Sequence, residues 1–266
     1  MINTNKYENI DITDDFFITA TDERSSKGYA RKYVKDGYWY KQTAGAFNAQ
    51  VEVICARLLT KMKIKPFVCY SLCRVNENFA TRSFDFRQGN TFVTLNDLYL
   101  LHSGISLFKA YGDLRSRDAE FQYKAAMEII RFIEGLGVPG FKEWLSLLLQ
   151  FDALVLNEDR HWNNIGFLVH LDGSIECGPF FDFDCALFST LEDLDRIGEY
   201  ADAAPCHPFF AKHSDQLEFA YGISDMLLPV VNFQEAELIS DLWDSAFDIG
   251  KKEAVWYLRK KGVIVD

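Results

Sequence analysis

Hydrophobic and polar positions along this chain follow two periods, and the change from one to the other divides it. Up to residue 42 the pattern is that of short strands. Phe16–Ala20, Tyr29–Val34 and Tyr38–Gln42 are rich in aromatic and β-branched residues. The Asp36-Gly37 pair between the last two predicts a tight hairpin, because both residues tolerate positive φ. From Phe47 to Met62 the period is helical, with Val51, Cys55, Leu58, Leu59 and Met62 on one stripe. Strand character returns in Phe67–Cys73 and Phe79–Phe84, separated by the turn formers Asn76-Glu77-Asn78. Gly89-Asn90 breaks the run. Beyond Arg87, helical spacing governs Leu95–Leu101, Glu120–Ile133 and Phe141–Leu156, and the last is apolar nearly all round, as a buried helix would be. Ile165–Val169 and Ser174–Cys177 about Asp172-Gly173 predict a small hairpin, and two or three helices follow residue 205. The expectation is an α+β chain: a strand-rich lobe with one main helix over 1–86, then a mainly helical lobe over 87–266.

Composition narrows the function. With 48% hydrophobic residues in 266, the chain can bury a large core. Its net charge of −11 and pI near 5.0 would repel nucleic-acid phosphates, so no direct nucleic-acid partner is expected. No apolar run reaches roughly 18 residues, so no membrane partner is expected either. Met1–Asp15 is polar and acidic, unlike a secretory leader. The six cysteines include no CxxC pair and read as reduced, mostly buried thiols of a cytoplasmic protein.

The candidate chemistry lies in one stretch. Asn157-Glu158-Asp159-Arg160-His161-Trp162-Asn163-Asn164 follows the buried helix, and Pro179-Phe180-Phe181-Asp182-Phe183-Asp184 follows the hairpin. Asp and Asn also gather in loops because they cap helices and make turns. Here, however, an Asp is followed by an Asn five residues on, and by a second Asp after an apolar pair. Phosphoryl transfer in kinases needs that order: a carboxylate to orient the attacking hydroxyl, an amide oxygen to hold Mg²⁺, and a second carboxylate to bridge metal and phosphates. Asp159 is then the catalytic base, Asn164 and Asp182 are metal ligands, and His161 faces the transferred group. Asp182 is preferred over Asp184, which falls on the same strand face two residues on. A hydrolytic metal centre of Asp159, His161, Asp182 and Asp184 is the rival; it explains neither the strand-rich first third nor its lysine.

That lysine is Lys41, closing the Tyr38–Gln42 strand, with Lys35 and Lys32 as alternatives. Kinases use a strand lysine on the α- and β-phosphates and a helix glutamate to position it, and Glu52 is the natural partner. The segment Thr21–Gly28 stands where a phosphate-covering loop belongs, although it has a single glycine. The cofactors expected are ATP and Mg²⁺.

These residues resemble a known family. Asp159-Arg-His161-Trp-Asn-Asn164 is similar to the D-x-H-x-K-N catalytic loop of HipA-like serine/threonine kinases, and Pro179-Phe-Phe-Asp182 to that family's P-x-Y-D segment. Thr81-Arg82-Ser83-Phe84-Asp85 resembles the R-F-D hinge, where Arg82 and Phe84 would help hold adenine. The resemblance spans about residues 25–185. It implies a two-lobed protein-kinase-like fold, phosphorylation of a protein at Ser or Thr, and modification of the covering loop, here at Ser25 or Ser26. Its best-known members are toxins with a separately encoded antitoxin, so an antitoxin-like partner is implied. Asn163 replaces the family's lysine, and the additional N-terminal domain of longer members is not expected. A small-molecule kinase and a pseudokinase that binds partners are the alternatives on the same scaffold.

Overall fold

The computed structural model describes residues 7–13, 17–18, 30–43, 45–191, 200–201, 203–242 and 248–265. These fall into two compact units. The first takes its residues from Met1–Phe86, Asp182–Glu199 and Pro229–Asp266, and the second from Arg87–Phe181 and Tyr200–Leu228.

A six-stranded sheet organises the first unit. Its strands are β1 (Asn9–Ile10), β2 (Phe17–Ile18), β3 (Lys32–Lys35), β4 (Tyr38–Gln42), β5 (Tyr70–Val75) and β6 (Asn78–Phe84), in the order β1-β5-β6-β4-β3-β2. Only β1 pairs in parallel with its neighbour; the other pairs are antiparallel. Asp36 and Gly37 both take positive φ, 53° and 79°, and close the β3–β4 hairpin. Asn76 and Glu77 do the same between β5 and β6. Because side chains alternate across a sheet, the register assigns each strand residue a face. Tyr33, Tyr40, Cys73, Val75 and Ala80 share one face and pack with Ile12 of the N-terminal segment. Lys41 pairs with Thr81 and takes the other face, where helix α1 (Ala46–Met62) lies.

The expected single break after residue 86 is not how the described residues divide, because α1 needs cover on a second side. Its Gln50, fully buried, donates to the Leu242 carbonyl at 2.6 Å. Arg57 grips the Asp241 carboxylate with two bonds of 2.8 Å, and the Tyr7 hydroxyl donates to the Leu242 carbonyl at 2.9 Å. A buried amide without an acceptor costs about 1–3 kcal/mol, so α1 recruits the late segment.

In the second unit β7 (Thr91–Thr94) leads directly into α2 (Leu95–Ser103), and Thr94 caps that helix by accepting from the Asp97 N–H. Helices α3 (Leu107–Tyr111) and α4 (Ala119–Gly135) precede α5 (Phe141–Val155). Leu145, Leu148, Leu149 and Phe151 of α5 are fully buried, as its apolar pattern requires. The hairpin expected around Asp172-Gly173 is β8 (Gly166–Val169) and β9 (Ile175–Cys177), and β7 joins it as a third strand. Gly166 is forced by packing: a Cβ there would meet the Phe92 ring. Helix α6 (His213–Ile223) completes this unit. In the first unit, β10 (Phe233–Gln234), α7 (Glu235–Ile239), α8 (Asp248–Lys260) and β11 (Ile264–Val265) follow. Among the described residues, no helix is long and apolar enough to cross a membrane.

Candidate active site

In the first unit one ammonium gathers three carboxylates. Lys41 lies 3.0 Å from Glu52 Oε1 and 3.0 Å from Asp184 Oδ2, and also donates to Asp182. Glu52 is wholly buried and accepts a second bond, 2.7 Å, from the Thr81 hydroxyl. Strand pairing and helix register make this meeting: Lys41 and Thr81 are opposite each other on the face that α1 covers. Burial, outweighing the nearby ammonium, pushes the Glu52 carboxyl up to about 7. Burial alone would lower Lys41, but Asp182, Asp184 and Glu52 together hold it well above its ordinary value. Negative charge is in excess here. The three carboxylates present oxygens within 4.8 Å of one another. Carboxylate oxygen is a donor that Mg²⁺ takes, so these residues fit the cation expected from the sequence.

Asp182 takes φ 62°, and its N–H donates to the Tyr70 hydroxyl at 3.3 Å. Burial, reinforced by Glu52, holds the Tyr70 phenol well above its ordinary pKa. The Asp184 carbonyl accepts from Asn48 of α1 at 2.9 Å and from the Ser189 hydroxyl at 2.5 Å.

In the second unit the loop after α5 is tied to a buried ion pair. Asp152 of α5 and Arg160 are both completely buried and bonded twice, at 2.8 and 3.0 Å. Arg160 also donates to the carbonyls of Asn164 and Phe181, at 2.8 and 2.6 Å. The Asn157 amide donates to Asp152 and accepts from the Asp159 N–H. Leu156 ends α5 in the left-handed conformation and turns the chain into this loop. The Asn164 side-chain N–H₂ donates to the Asp159 carbonyl at 2.9 Å, which leaves its oxygen as the atom suited to a cation. Asp159 itself is half exposed, with His161 Nε2 at 3.8 Å from its carboxylate. His161 Nδ1 accepts from the Asn163 N–H, so the neutral ring carries its proton on Nε2.

The first unit thus brings together Lys41, Glu52 and Asp182, and the second holds Asp159, His161 and Asn164 in one loop. Lys35 is engaged elsewhere, donating to the Asp11 carbonyl. Arg82 and Phe84 do not join Lys41. Their register places them on the opposite sheet face, where Arg82 binds Glu8 and lies over the Tyr38 ring, and Phe84 packs edge-on to Tyr38. Ser25 and Ser26 lie outside the described residues. Asp182 was chosen over Asp184 by its place after Pro179-Phe180-Phe181; the strand assumed for the pair is an irregular segment, and both carboxylates reach Lys41. Sequence reasoning ranked Asp184 behind Asp182 and gave no role to Tyr70 or Arg160. One signal pointed to the last: Asp152 is the lone charge of the apolar stretch Trp144–Leu156, and so requires a buried partner.

No protein-family model and no curated protein matches this chain. Solved structures do. The Helicobacter pylori proinflammatory kinase CtkA matches with a TM-score of 0.59 at 14% identity, over 93% of this chain and 92% of that one. HipA, in the Shewanella oneidensis MR-1 toxin–antitoxin complex with HipB and operator DNA, matches with a TM-score of 0.42 at 13% identity, over 88% of this chain and 62% of that one. The chain therefore has the α+β fold of a kinase, as its catalytic-loop pattern led one to expect.

Proposed function

We propose that this chain is an ATP- and Mg²⁺-dependent phosphotransferase of the HipA-like kind that phosphorylates proteins on Ser or Thr. The observation that carries the reading is the meeting of Lys41 with Glu52 and Asp182, on a kinase-like fold that also holds an Asp159–Asn164 loop. Glu52 holds Lys41 in place to bind the α- and β-phosphates of ATP. Asp182 of the first unit and Asn164 of the second each offer an oxygen that would hold Mg²⁺, and the ion would neutralise charge on the phosphates. Asp159 orients the acceptor hydroxyl and takes its proton as the new O–P bond forms and the bond to the ADP oxygen breaks. His161 steadies the region of the transferred group.

The test is incubation with labelled ATP, Mg²⁺ and a cell lysate, followed by phosphosite mapping. Label on protein serines or threonines is expected, and label confined to metabolites would transfer the activity to a small-molecule kinase. Asp159→Ala should lose about 10²–10⁴-fold in turnover and keep nucleotide binding. Undiminished turnover in that variant removes Asp159 from the role of base.

A further inference from the structure

We propose that Tyr70 is a positioning residue for the divalent cation: it holds the backbone of residue 182 so that the Asp182 carboxylate presents to the metal. The inference rests on the assignment of Asp182 as a metal ligand.

Asp182 adopts φ 62°, a left-handed conformation that residues with a Cβ rarely take and that Asp tolerates better than most. A residue in that state needs its backbone held. The Asp182 N–H finds its acceptor in the Tyr70 hydroxyl, 112 residues away in sequence. Tyr70 is well suited to the task because it opens β5, a strand hydrogen-bonded on both sides. Its register opposite Ser83, two residues from the Leu72–Thr81 pair, puts it on the sheet face of Thr81, Lys41 and Glu52. The phenol therefore reaches the cluster from a rigid element. It bonds the main chain of Asp182 rather than its carboxylate. Without the hydroxyl, residue 182 is freed to relax toward ordinary φ, which swings its carboxylate off the site. Groups that orient a metal ligand in this way typically govern affinity by about 10–100-fold.

The experiment compares wild type, Tyr70→Phe and Tyr33→Phe by titrating Mn²⁺ alone, followed by electron paramagnetic resonance. Binding of ATP in the presence of a chelator is measured in parallel. Tyr33 is a buried tyrosine on the opposite sheet face and controls for loss of a hydroxyl from the core. Tyr70→Phe should weaken Mn²⁺ by about tenfold or more and leave metal-free ATP binding unchanged, since Glu52 still holds Lys41. Tyr33→Phe should leave Mn²⁺ affinity as in wild type. Equal Mn²⁺ affinity in wild type and Tyr70→Phe overturns the proposal, as does an equal loss in both variants. A second reading needs no variant: the Asp182 amide of the wild-type chain should exchange its hydrogen slowly, and free exchange also overturns it. A chain in which Tyr70→Phe weakens Mn²⁺ but which transfers no phosphoryl group overturns the kinase reading alone and supports the role of Tyr70. Absence of Mn²⁺ binding in the wild type overturns both.

Discussion

Two of the buried charge clusters among the described residues are built on opposite plans. Arg160 and Asp152 match one cation to one anion, and Arg160's remaining donors meet the Asn164 and Phe181 carbonyls. Around Lys41 a single ammonium faces three carboxylates, one buried and two partly open to solvent. A balanced pair that also ties down neighbouring carbonyls serves as scaffold. An unbalanced cluster lacks positive charge, which a divalent cation would supply. The contrast separates what shapes the site from what works in it, a distinction that residue types alone do not make.

The largest effect should come from unbalancing the balanced pair. Arg160→Met leaves Asp152 charged and alone in the core, which should cost about 3–5 kcal/mol in urea denaturation. Adding Asp152→Leu should recover much of that stability without recovering turnover, because the Asn164 and Phe181 carbonyls stay unheld. If the double variant phosphorylates like wild type, the pair is not the scaffold of the loop.

Next in size is Asp182→Asn, which should raise the Mg²⁺ concentration for half-maximal activity by about tenfold or more. Asp184→Asn should raise it less, and neither change should lower the melting temperature as Arg160→Met does. A collapse of stability in either variant would make the Lys41 cluster a second scaffold and dissolve the contrast.

The smallest effect concerns His207. Its Nδ1–H donates to the Glu158 carbonyl at 2.6 Å, next to Asp159. Burial, opposed by that bond and aided by Arg115, lowers its pKa. The groups that face it are Arg115, Asp159 and Asp113. The unfolded chain then takes up a proton near pH 6.5 before the folded chain does, so this residue's contribution is present above that pH and is lost as pH falls through the lowered value. The fall in melting temperature between pH 7.5 and 5.5 should be smaller in His207→Gln. An equal fall in both proteins removes His207 as a cause.

Local structure was the legible part. The Asp36-Gly37 turn, the Tyr38–Gln42 strand and the helix ending at Met62 stand within a residue of where periodicity put them, since each is decided by neighbours in sequence. β7 was missed because four residues that run straight into the Thr94-capped helix show no alternation of their own. Lys41 and Glu52 were legible as residue types at suitable spacing. The sheet face that Arg82 and Phe84 take was not legible, because it depends on pairing register, and that is set by β4 and β5 rather than by the motif. Asp184 and Tyr70 act through an irregular segment, where no period applies. Arg160 reads as an ordinary loop residue until the buried acid that needs it is seen.

The bonds that tie α1 to residues 238–242 also bear on how the protein is made. Arg57 and Asp241 stand 184 residues apart, and Tyr7 and Leu242 are separated by 235. At a synthesis rate of about 5–20 residues per second, roughly 10–40 s pass between the appearance of α1 and that of its last partners. During that interval Gln50 has no acceptor at its final position, and α1 lacks cover on one side. The sheet-bearing unit cannot mature in step with translation, whereas the second unit is fully synthesised once Leu228 has emerged. On the ribosome the order of completion should therefore run against the order of sequence. Protease treatment of nascent chains halted just past Leu228 should cut within α1 and spare α5, and equal protection of the two would show that the first unit closes without its late segment.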